Sequence, residues 1–134
     1  MNIRNLLFIT ASFILTSLIS SCQETIEERC VRECREYTKT KCPVPCDKYT
    51  TIDSLVFDAD SHTLIHYYTL KAAADSAGLI SVENARNALL QEAKNSTKIR
   101  LYKEHGYSFR YIYHSQRNPE TVLLDILLKK EDYQ

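Results

Sequence analysis

Four cysteines fall in the pattern C-x3-C-x7-C-x3-C, at Cys30, Cys34, Cys42 and Cys46, and a fifth, Cys22, stands apart near the N-terminus. Thiols so spaced can do three kinds of chemistry. As thiolates they can hold a structural zinc in a tetrahedral site. Oxidised, they can cross-link the chain. Disulfide exchange is the third, but it favours C-x-x-C pairs, and the sequence has none. Zinc or cross-links is a question of compartment, which the N-terminus addresses.

A second cluster is Asp58, Asp60, His62 and His66. Two acids and two imidazoles are metal-ligand types. On a strand, however, the two histidines share a face about 13 Å apart, too far for one ion. The segment His62-Thr63-Leu64-Ile65-His66 also lacks the glutamate of a zincin helix. Asp58 and Asp60 read more simply as turn residues. The sequence carries no G-x-S-x-G elbow and no phosphate-binding glycine loop. No catalytic residue, metal site or cofactor is predicted, and the chain reads as a non-enzyme.

The N-terminus is an address. Met1 to Asn5 carries one positive charge, Arg4, and Leu6 to Ile19 is a 14-residue apolar stretch followed by Ser20 and Ser21. That is the layout of a secretory signal. As a helix it spans about 21 Å, short of the roughly 20 residues that a hydrocarbon core of about 30 Å needs. The run Ile19-Ser20-Ser21-Cys22 resembles the lipobox of bacterial lipoprotein precursors, with Ile19 where leucine is commonest. The resemblance implies a diacylglycerol thioether on Cys22, cleavage before it by a type II signal peptidase, and acylation of the new amino group. Two or three acyl chains anchor stably where one binds marginally. In that family an aspartate after the cysteine retains the protein at the inner membrane; Gln23 stands there, which implies the outer membrane. Residues 1–21 are then the signal peptide, and its loss removes Arg4 and leaves the chain one net negative charge. No basic face argues for nucleic acid.

With Cys22 on lipid, four cysteines remain in an oxidising compartment, which favours two disulfides over zinc. Glu24 to Tyr37 is rich in helix formers and places Cys30 and Cys34 on one face. Bridging that pair to each other is disfavoured by disulfide geometry. Pro43 and Pro45 forbid a helix through the second pair. A turn at Thr38 to Lys41 would lay the chain back antiparallel and nest the bridges as Cys30–Cys46 and Cys34–Cys42; the crossed set, Cys30–Cys42 with Cys34–Cys46, stays open. Residues 22–53 are thus expected to be a cross-linked stalk, with a small domain at 54–134.

The elements of that domain follow from periodicity. Leu55 to Phe57 is a short strand and Thr63 to Leu70 alternates, with Leu64, His66, Tyr68 and Leu70 on one face and Ile65 and Tyr67 on the other. Ser81 caps a helix to Asn95 whose stripe is Val82, Ala85, Leu89, Leu90 and Ala93. Tyr107 to His114 and Thr121 to Leu128 form a second hairpin around Asn118-Pro119. The expected fold class is α+β: β-β-α-β-β, a four-stranded antiparallel sheet with one helix on a face.

The tyrosines are the remaining functional lead. Nine tyrosines and no tryptophan occur, and Tyr67, Tyr68, Tyr107, Tyr111 and Tyr113 sit on the predicted middle strands. Tyrosine is enriched at recognition surfaces. If the far sheet face is open, Ile65, Tyr67, Arg110, Ile112, Leu123 and Leu127 form a partly apolar patch of the kind that marks a partner site. The expected function is a membrane-anchored envelope lipoprotein that binds another envelope protein. The alternatives are a ligand-binding or hydrolytic protein with a cleft beside His66 or His114, and a structural spacer.

Overall fold

The computed structural model describes residues 23–76, 78 and 80–134; Cys22 and the signal segment lie outside them. The first element is α1, Ile26–Lys41. Its start is a capping box: the Thr25 hydroxyl accepts from the Glu28 N–H at 3.1 Å, and the Glu28 carboxylate accepts from the Thr25 N–H at 2.9 Å. Glu27 and Glu28 in the first turn and Lys39 and Lys41 in the last suit the helix dipole. The helix runs a turn past Tyr37, because nothing breaks it before Pro43. Thr25→Ala is expected to cost about 1 kcal/mol, read as a lower denaturant midpoint with an unchanged slope.

A two-residue strand, β1 (Val44–Pro45), and a nine-residue one, β2 (Thr50–Asp58), lead to β3 (Thr63–Leu70). After a 3-10 turn at Ala72–Ala74 come α2 (Val82–Asn95) and α3 (Arg100–Glu104), then β4 (Ser108–Ser115), β5 (Val122–Leu128) and a terminal turn of helix, α4 (Lys130–Tyr133). Ser81 caps α2 as its sequence predicts, its hydroxyl accepting from the Asn84 N–H. Gly106, at φ 70°, turns the chain from α3 into β4 in a left-handed conformation that other residues adopt at a cost.

The sheet has five strands in the order β1-β2-β3-β4-β5. This corrects the four-stranded antiparallel expectation twice. β1 pairs with β2 through Val44↔Ile52, adding an edge strand. The central pair, β3 and β4, is parallel, with Leu64↔Phe109 and Tyr68↔Tyr113 in register. Parallel strands need a crossover, and α2 and α3 supply it, returning the chain to the end where β3 began.

The core lies on one face of the sheet. Phe57, Leu64, Phe109, Ile126 and Leu128 point into it and meet Cys30 and Cys34 of α1, Leu89 and Ala93 of α2, Tyr102 of α3 and Tyr133 of α4. The expected stalk is therefore part of the fold: α1 packs along β2, and Cys30 is fully buried. One contact shows how closely the helix is fitted. β1 is too short to cover β2, and the Thr38 hydroxyl both accepts from the Leu55 N–H at 2.8 Å and donates to the Leu55 carbonyl at 2.9 Å. A side chain of α1 thus does for that stretch of edge what a neighbouring strand would do.

Candidate functional site

Between α1 and the C-terminal half of α2 the sheet is left uncovered, and a groove of about 430 Å³ opens there. Its floor is Ile52 and Leu55 of β2, Leu64, His66 and Tyr68 of β3, and Tyr111 of β4. One wall is Glu33, Cys34 and Tyr37 of α1; the other is Glu92 and Ala93 of α2, continued by Ser96, Lys98, Ile99 and Tyr102. The period-two alternation of β3 puts Leu64, His66 and Tyr68 on this side, as its sequence pattern predicts.

The floor is an aromatic tile. Parallel register sets His66 against Tyr111 and Tyr68 against Tyr113. The His66 and Tyr111 rings stack at 4.8 Å and 14°, the Tyr68 and Tyr113 rings at 4.7 Å and 12°, and His66 lies within 3° of the plane of Tyr68. Stacking across the strands is favourable beyond the area buried.

Burial governs the electrostatics of the tile. It pushes the His66 imidazole down to about 4, so the ring is neutral at pH 7, and its Nδ1 is buried with no hydrogen-bond partner. Burial likewise raises the phenols of Tyr68, Tyr111 and Tyr113, with neighbouring phenols adding to it at Tyr68 and Tyr111, and Glu92 at all three. On the α1 wall, burial pushes the Cys34 thiol up to about 11 against the opposing effect of the Tyr102 hydroxyl, 3.8 Å from its Sγ.

The four cysteines are thiols, with no disulfide among the described residues. This corrects the cross-linked segment. The nested pairing needs Cys34–Cys42 and the crossed one Cys30–Cys42, but α1 is unbroken to Lys41 with Cys42 as its C-cap. At 1.5 Å per residue the two separations are about 12 Å and 18 Å along the axis, against the 4.4–6.8 Å or so between Cα atoms that a disulfide spans. Cys30 and Cys34 face the core, whereas Cys42 is part-exposed and Cys46 exposed at the far end of the helix.

The metal-type cluster is dispersed. Asp58 closes the β2–β3 turn by accepting from the Asp60 N–H and the Ser61 hydroxyl. His62 stacks on Tyr107 beside the start of α1, where the Tyr107 hydroxyl donates to Glu27 at 2.6 Å, while His66 lies in the groove. His114 is elsewhere again, beside Tyr67, with its Nδ1 at 3.0 Å from the Pro119 carbonyl.

Of the patch residues, Ile65, Tyr67, Arg110, Ile112 and Leu127 alternate to the face opposite the helices, whereas Leu123 falls unpaired at the register shift between Val122 and Leu124. Ile65, Arg110 and Leu127 line a shallow hollow there with Asp125. Arg110 and Asp125 pair bidentately at 2.8 and 2.6 Å. Leu127 is exposed, but Ile112 is buried among its strand neighbours. Periodicity sorts the tyrosines between the two faces; it gives no sign of the groove walls, which depend on where α1 packs.

The family whose description reads Domain of unknown function (DUF8479) matches residues 25–124. No curated protein matches the chain. Two solved structures share the fold. One is a protein of Pseudomonas aeruginosa thought to be secreted, with a TM-score of 0.66 at 10% identity, over 81% of this chain and 96% of that one. The other is the type II secretion system pilotin AspS of Vibrio cholerae, with a TM-score of 0.58 at 16% identity, over 79% of this chain and 90% of that one.

Proposed function

The chain belongs to the DUF8479 family, and on that premise we propose that it is a lipid-anchored accessory protein of the bacterial envelope, at the outer membrane, that holds a segment of another envelope protein in the groove between α1 and α2. The observation that carries the reading is the groove itself: a sheet floor between two helices, with an aromatic tile on it. Grooves of this form accept an amphipathic helix through apolar contacts spaced along one face. The fold shared with a secretion pilotin supports the reading, as does the lipobox at Ile19 to Cys22.

The groove's reactive groups suit binding better than chemistry. The thiolate is the nucleophilic form of cysteine, and Cys34 is pushed away from it. His66 is packed as a ring rather than poised to take a proton. The tether is short: only Gln23 and Glu24 separate Cys22 from the Thr25 cap, about 10 Å of extended chain. An acylated Cys22 would hold the start of α1 against the bilayer surface.

Two experiments test this. Wild-type protein is expected to sediment with membranes and to yield an acylated N-terminal peptide beginning at Cys22, and Cys22→Ser is expected to leave the membrane fraction. An unmodified Cys22, or a mature peptide beginning at Met1, would sink the anchoring claim. For the groove, a photo-crosslinking residue at Ser96 is expected to capture a specific envelope protein in living cells, and one at Leu127, exposed on the opposite face, is not. The reverse pattern would move the partner to the open sheet face.

A further inference from the structure

We infer that the segment held in the groove presents a basic side chain, arginine or lysine, to a site made by the Glu92 carboxylate and the hydroxyls of Tyr68 and Tyr111. The inference rests on the groove reading above and adds the chemistry of what enters.

Glu92 is the anion to be matched. It lies on the groove wall and makes no ion pair among the described residues. The acid on the facing wall, Glu33, is already held by Arg29 at 2.7 Å. Glu92 thus brings an unpaired negative charge to the rim of a largely apolar cleft, and Lys98, further along the same wall, is the other unpaired charge there among the described residues.

The tile supplies the other acceptors. Its rings stack on one another across the strands at 12–14°, so each has one face taken up by its neighbour. Among the described residues, the phenols of Tyr68 and Tyr111 make no hydrogen bond, and both line the same groove as Glu92. A hydroxyl oxygen accepts as well as donates. A carboxylate and two phenol oxygens in one groove offer acceptors to a cation carrying several N–H donors, and a guanidinium, with five donors in a planar fork, uses such an array best. An anionic ligand would meet Glu92 unfavourably, and a purely apolar one would leave the carboxylate and hydroxyls to be desolvated without partners.

The test uses the full chain in its own cells, with the photo-crosslinking residue at Ser96. Glu92→Gln is expected to lower the crosslink yield roughly tenfold, the loss of one charge-assisted contact, and Glu92→Asp to keep most of it. Glu92 is exposed on α2, and an unchanged melting temperature shows that the variants fold. The crosslinked partner peptide is expected to contain an arginine or lysine whose replacement by glutamine reproduces the loss. Lys98, the other free charge on the rim, is the control: Lys98→Gln leaves the yield unchanged. A full crosslink in Glu92→Gln, an equal loss in Lys98→Gln, or a captured peptide without a basic residue overturns the inference and leaves the groove reading standing. No wild-type crosslink at Ser96 overturns both. Capture of a second copy of this chain through a neutral segment likewise overturns the inference.

Discussion

Phe109→Ala is expected to remove about 3–5 kcal/mol of stability. That is a large part of the roughly 5–15 kcal/mol that holds a domain of this size. The position explains the size of the effect. Phe109 is fully buried at the start of β4, flanked by Leu64 on β3 and Leu128 on β5, with the Tyr133 ring 5.3 Å away. Its neighbours come from the sheet and from the C-terminal turn of helix, so they cannot collapse together into the space it leaves. Denaturant unfolding should show a lower midpoint with an unchanged slope. Leu127→Ala, one residue along β5 but on the open face and 42% exposed, should cost well under about 1 kcal/mol. Equal losses at the two positions would mean that the core has been placed on the wrong side of the sheet.

The second large effect is with pH. His66 has its folded pKa depressed from 6.5 to about 4, chiefly by burial. The unfolded chain therefore takes up a proton from about pH 6.5 downward while the folded chain resists until about pH 4. Stability is present in full above 6.5, falls through that window and levels off below it, a loss of about 3 kcal/mol. The carboxylates act lower down. Asp75, held low chiefly by the Ser115 hydroxyl and also by Arg117, and Asp125, held low by Arg110, contribute above their unfolded values near 3.8 and are lost as pH falls further. The His66 component is the difference between wild type and His66→Phe, whose ring can still stack on Tyr111. Midpoints at pH 7, 5.5 and 4 should fall steeply for wild type and much less for the variant. Parallel slopes would remove His66 as the cause.

Much of the domain was legible because its signals are local. The alternation of β3 sorted Leu64, His66 and Tyr68 from Ile65 and Tyr67, and Ser81 marked the start of α2. What was missed depends on partners distant in the sequence. Thr50 to Ser54 are small or polar residues for the most part, so β2 announced only its apolar end, Leu55 to Phe57. β1 is two residues long and carries a proline, and only its pairing with β2 defines it as a strand. The direction of β4 against β3 is set by what the intervening helices do, not by any residue in either strand. The cysteines misled for a chemical reason: the residue that forms cross-links is also a small apolar core residue, and Cys30 and Cys34 are used here in the second way. In the groove, the tyrosines were visible as a cluster. Glu92 was not, because a helix's apolar stripe tells which side faces the core and nothing of which polar residue at its border overlooks an opening.

The parallel seam between β3 and β4 also sets an order in time. β2 and β3 are joined by four residues and β4 and β5 by six, so each hairpin can form from neighbouring chain alone. The seam joins strands separated by residues 71–107, and closing so long a loop costs entropy before any ladder bond is made. A chain delivered N-terminus first would present α1 and the first hairpin with the inner edge of β3 still bare. That edge presents unpaired backbone groups to any other strand, and it disappears only when the last third of the chain arrives to cover it.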